Sequence, residues 1–195
     1  MEIWALSISI QRRGAGAFIY YTQLSNLYGF IACIACLVGE VRELRGGPAL
    51  SRTIRRLKFS ASCCLLMTFF VVMLVLAPML CTTGQNGYYL MLCTGVLPVT
   101  HLLGPLLTFG SYVFLEAERS MTLRQSIAGL VPTLLYGLVA YPCNIARIWD
   151  GPYPFFRVWE MPAWQSVLWF IALLVMAFAL SQIPRLLGRR LSRRS

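Results

Sequence analysis

The chain has 195 residues, 58% of them hydrophobic and only 12% charged, with a net charge of +10. A soluble domain carries about a quarter of its residues as charged side chains, so this composition excludes an ordinary soluble fold and points to a bilayer. The basic residues stand in loops beside apolar runs, as the positive-inside rule requires, and form no basic patch interleaved with exposed aromatics, which excludes nucleic-acid binding.

Residues 1–16 open the chain with an apolar part too short to span. They lack the positive n-region and small-residue cleavage site of a signal peptide. Five apolar runs follow, near 17–39, 59–81, 88–115, 123–143 and 162–187. Each has roughly the 20-residue length that crosses a hydrocarbon core. The predicted fold class is therefore all-α, a polytopic transmembrane helix bundle forming one integral membrane domain over residues 1–195. An arginine-rich linker (40–58), a short polar turn (82–87) and a loop (144–161) join the runs. The last carries Pro152 and Pro154 among aromatics, a composition that suits a folded lid.

Of the 17 Lys and Arg residues, 13 fall on the face that holds the 40–58 linker, the 116–124 loop and the chain end. That face is expected in the cytoplasm, with the C-terminus there and the N-terminus outside. Tyr88, Tyr89, Trp149, Tyr153, Phe155, Phe156, Trp159 and Trp164 are expected as an aromatic belt at the outer interface. Glu116, Glu118 and Arg119 are expected as a solvated cluster at the inner end of the third span.

Two features inside the spans are polar. In the first, Thr22, Ser25, Asn26, Gly29, Cys33 and Cys36 recur at three- and four-residue spacing and share one helix face. Such a stripe is how membrane helices pack closely, and it is also where a site could be built. In the third, His101 is the single histidine of the chain, between Pro98 and Pro105. An ionisable ring at membrane depth needs a partner or a wet cavity, so it is expected to face the bundle interior. It either bonds a neighbouring helix or serves a site. The seven cysteines show neither a disulfide framework nor a zinc pattern, and Cys33-x-x-Cys36 lies inside a helix as an inert pair. No metal or cofactor is expected.

The run Tyr20-Tyr21-Thr22-Gln23-Leu24-Ser25-Asn26, then His101-Leu102-Leu103-Gly104-Pro105 with Glu116 or Glu118 after it, then Tyr141-Pro142 and Gly151-Pro152-Tyr153-Pro154-Phe155-Phe156, resembles in order a bacterial family of small polytopic membrane proteins. That family is distantly similar to the eukaryotic androgen-induced membrane threonine hydrolases. The resemblance implies cleavage of lipid esters, with Thr22 as nucleophile and His101 as general base. Asn26 would orient the base or donate to the developing oxyanion. Its members have six spans, one of them ahead of the threonine motif, where residues 1–16 stand here. The implied partners are membrane lipids and a lipid-ester substrate. The alternative reading is a non-catalytic scaffold or a small transporter, although no internal repeat supports transport. Nothing in the sequence sets the oligomeric state.

Overall fold

The computed structural model describes residues 2–118 and 120–191. Among them there are helices and no strand: α1 (Glu2–Arg13), α2 (Tyr21–Leu44), α3 (Arg52–Thr82), α4 (Gly87–Cys93), α5 (residues 99–116), α6 (Leu123–Ile145) and α7 (Ala163–Leu191). Four of these, α2, α3, α6 and α7, are long and apolar enough to cross a membrane. Their outward faces carry large apolar side chains such as Ile31 and Ile34 on α2, Leu135 and Leu138 on α6, and Ile171 and Val175 on α7. A water-soluble surface does not tolerate such continuous apolar area. The chain is an integral membrane protein with several spans.

The helices overrun the apolar stretches that announce them. α2 begins at Tyr21, because residues 14–19 form a tight 3-10 turn and Tyr20 is extended. It continues to Leu44, because helical hydrogen bonding does not stop where the hydrocarbon does. Gly46 at φ +84° ends it, and its N–H donates to the Glu43 carbonyl. α3 starts early because the Ser51 hydroxyl caps it, accepting from the Ile54 N–H at 3.3 Å. α6 opens with a full capping box between Thr122 and Gln125.

The third apolar run is not one helix. Thr94 is extended, Gly95 sits at φ +56°, and Pro98 lacks the N–H that would continue α4. α5 resumes with a π-helical turn at Val99–Leu103 and ends with another at Tyr112–Glu116. The broken path still runs antiparallel along α3: the Tyr88 hydroxyl donates to the Met73 carbonyl near one end, and Arg55, Arg56 and Lys58 meet Glu116 and Glu118 at the other. α1 lies against α2 and the start of α5, where Ala5 and Ile8 pack on Val96 and Val99.

The core follows from the α2 stripe. Thr22, Ser25, Asn26, Gly29 and Cys36 are all buried, and Cys33 is half-buried. Against them stands α3, whose middle is buried on nearly every side. At Gly29 an added Cβ would lie 2.6 Å from Leu65 Cδ1. Replacing Gly29 by leucine is expected to destabilise the protein by about 1–3 kcal/mol, as overpacking does. Thermal unfolding in detergent should show the loss, and adding Leu65→Ala should recover most of it.

Candidate functional site

Thr22 is the second residue of α2, so its N–H has no helical acceptor. The Tyr153 hydroxyl supplies one: the Thr22 N–H donates to it at 3.1 Å, and the two hydroxyl oxygens stand 3.2 Å apart. An N–H only donates, so Tyr153 accepts this bond while keeping its own proton. Burial pushes the Tyr153 phenol up from its ordinary pKa, so it is neutral at physiological pH.

Tyr153 reaches this position because the loop after α6 is folded inward. The Asn144 side-chain oxygen accepts from the Gly151 N–H at 2.7 Å, and the Asn144 carbonyl accepts from Trp159 Nε1 at 3.1 Å. Gly151 at φ +47° and Arg147 at φ +56° turn the chain back. Tyr153, Phe155 and Phe156 then insert as a cluster, Tyr153 stacked on Phe155 at 5.2 Å and Phe156 edge-on to Tyr141. The loop aromatics thus divide. Trp159 stands exposed, as do Tyr88, Tyr89 and Trp164 elsewhere, whereas Tyr153, Phe155 and Phe156 belong to the core and not to the expected interfacial belt.

Next to Thr22, Ser25 donates to the Thr22 carbonyl and lies 2.8 Å from the Thr68 hydroxyl. Asn26 Nδ2 donates to the carbonyls of Thr22 at 2.7 Å and Thr100 at 3.1 Å. Two carbonyl acceptors fix which end of the amide is nitrogen, so Oδ1 is the atom left buried without a partner. His101 is buried on the first turn of α5, with Nδ1 3.0 Å from the Met91 carbonyl. A carbonyl only accepts, so Nδ1 bears the proton and Nε2 of the neutral ring is the basic nitrogen. The histidine therefore ties α4 to α5 across the break.

Thr22 and Asn26 come together, and Asn26 reaches the peptide carbonyl next to His101. Thr22 and His101 share no hydrogen bond: the hydroxyl goes to Tyr153 and the ring to Met91. A cavity of about 240 Å³ separates their roles further. It is enclosed by α2, α3, α6, α7 and the inserted loop, with Thr22, Thr68, Thr133 and Tyr153 on its wall, and without Asn26 or His101. Leu138 on α6 and Phe170 on α7 are on its wall and are both exposed, so part of the wall reaches the apolar outer surface of the bundle. Asn26 and Thr100 line a smaller space of about 80 Å³ against α1.

A second polar cluster lies at the other end of α2. Lys58 is 3% exposed, with Nζ 3.0 Å from Cys33 Sγ and 3.5 Å from Glu116 Oε1. Arg55 donates to the Glu116 carbonyl, and Arg56 grips both oxygens of Glu118 at 3.2 and 3.3 Å. The expectation of a solvated acidic cluster is corrected here. Both glutamates are buried, because the first turns of α3 bring cations onto them; Arg119 lies outside the described residues. Glu116→Gln or Lys58→Met alone leaves a buried charge uncompensated, and each is expected to cost about 3–5 kcal/mol. The double variant Lys58→Met/Glu116→Leu should lose far less, which a double-mutant cycle on unfolding in detergent will show.

Sequence reasoning did not find Tyr153 as the partner of Thr22. Its nearest signal was the proline- and aromatic-rich loop, which marks a lid but not the side chain that points inward. Searches against protein-family models, curated proteins and solved structures return no match for this chain.

Proposed function

We propose that this protein holds a membrane lipid in the cavity between α2, α3, α6 and α7, with the Thr22–Tyr153 pair at its polar point. The observation that carries the reading is the cavity itself. Its wall is almost wholly apolar, its edge is lipid-facing, and its few hydroxyls are contributed by different helices. Concave apolar sites with a few convergent polar groups are where small ligands bind. The test is native mass spectrometry of the purified protein. Wild type should carry bound lipid, and Leu173→Trp, which fills the cavity, should lose it. Equal lipid on both would sink the reading.

A second reading is intramembrane hydrolysis of a lipid ester, favoured by the Thr22 hydroxyl standing on the cavity wall. In it Thr22 is the nucleophile, His101 Nε2 the base and Asn26 its orienting group or an oxyanion donor. Hydrolysis requires α5 to carry His101 closer to Thr22 when substrate binds, since in this structure the ring is held by Met91. Thr22→Ala and His101→Ala should each abolish turnover of a lipid ester, and the double variant should be scarcely worse, because paired catalytic groups act as a unit. Modest, additive losses would leave lipid binding without catalysis.

For orientation, we place the 40–58 segment and the chain end in the cytoplasm on the charge asymmetry. A reporter after Ser195 that is active only outside the membrane should stay silent.

A further inference from the structure

The hydroxyls on the cavity wall can be accounted for proton by proton. Tyr136 donates to the Ile19 carbonyl and Tyr141 to the Ser166 carbonyl. Ser25 donates to the Thr22 carbonyl, and Thr68 sits between Ser25 and the Cys64 carbonyl. Tyr21 and Thr133 share one bond at 2.7 Å, and Cys64 Sγ, 3.6 Å from Thr133, stands within reach of the remaining proton. Each of these groups is satisfied within the protein.

The Thr22–Tyr153 pair is different. It has two hydroxyl protons and one bond between the oxygens, and Tyr153 also accepts the Thr22 N–H. Whichever oxygen donates inside the pair, one proton remains. Thr22 is too near the start of α2 for the usual helical back-bond to take it, and the other hydroxyls on the wall bond to groups other than this pair. A donor left unmade against apolar walls is unfavourable, so an acceptor brought to it is bound in preference to an alkyl group. Among the described residues no Asp, Glu, Lys, Arg or His lines the cavity, so its wall offers nothing to offset burial of a charged head group.

Resting on the lipid-binding reading, we propose that the cavity selects an uncharged lipid with a carbonyl oxygen, which accepts the one unspent proton of the Thr22–Tyr153 pair. An alkyl chain of the same length satisfies the walls but not the donor. A fatty-acid carboxylate satisfies the donor but carries a charge into an apolar space. The cavity wall reaches the apolar outer surface at Leu138 and Phe170, so the carbonyl must be able to leave the membrane interface, as a methyl ester or ketone does and a phosphodiester does not.

The test compares three probes on the full-length protein in detergent: a fatty-acid methyl ester, the alkane of equal length, and the fatty acid at a pH where it is ionised. The methyl ester should bind about two- to tenfold more tightly than the alkane, the worth of one hydrogen bond. The ionised acid should bind weakest. In Thr22→Val/Tyr153→Phe the ester and the alkane should bind alike, whereas either single variant retains one hydroxyl with a free proton and should keep part of the preference. Equal binding of ester and alkane by wild type, or tightest binding of the ionised acid, overturns the assignment. The wild-type comparison stands even where the double variant fails to fold. Failure of every probe to bind, with Leu173→Trp indistinguishable from wild type, instead removes the lipid-binding reading beneath it.

Discussion

A hydrocarbon solvent accepts and donates no hydrogen bonds, so the polar groups that α2 carries into the bundle are driven to find partners within the protein. The stripe does this one turn at a time. Thr22 meets Tyr153 from the folded loop, Ser25 meets Thr68 on α3, and Asn26 meets the Thr100 carbonyl on α5. Further along, Cys33 meets Lys58 on α3. Each bond joins α2 to something else, and none joins it to solvent. The helix works as a polar spine around which the apolar spans and the loop are placed, and moving it would unmake several bonds at once.

The break in the third span is the counterpart of that demand. Gly95 and Pro98 stop α4 and leave carbonyls without helical donors. The Met91 carbonyl is one of them, and the protonated Nδ1 of His101 satisfies it. Another carbonyl freed where α5 restarts is Thr100, and Asn26 satisfies that one. The lone histidine and the stripe asparagine therefore answer the same local problem, which accounts for their closeness without any catalysis. The same arrangement leaves Nε2 as the basic nitrogen, so a structural task and a capacity for proton transfer coexist in one ring.

Much of this was legible in the residue order. The five apolar runs correspond to α2, α3, the α4–α5 path, α6 and α7, and the small and polar face of α2 follows from its three- and four-residue spacing. Two kinds of information were not local. Tyr153 is 131 residues from Thr22, and no periodicity connects them; the contact exists only once the loop has folded over the bundle. The burial of Glu116 and Glu118 depends on which charges the start of α3 presents across from them. A rule that reads charges at span ends as solvated has no access to that pairing. The break at residues 94–98 was written in Gly95 and Pro98, but its consequence, a histidine spent on holding the halves together, needs the geometry of Met91.

The two polar clusters lie about 11 residues apart on α2, or roughly 16 Å at 1.5 Å per residue, and they are opposite in character. At one end, Lys58, Glu116, Arg56 and Glu118 form charge pairs that lock α3 to α5, and the burial of Lys58 and Glu116 makes opening there expensive. At the other, the walls are neutral, the loop closes the top through aromatic stacking, and the edge between α6 and α7 faces hydrocarbon. Rigidity is thus concentrated away from the cavity. At the cavity, α6 and α7 are joined by the Tyr141 hydroxyl, which donates to the Ser166 carbonyl, and by the Tyr141–Phe170 ring pair, while the ion pairs hold α3 to the end of α5. On the lipid-binding proposal, that division lets one end of the bundle admit a ligand while the charge pairs at the other stay closed.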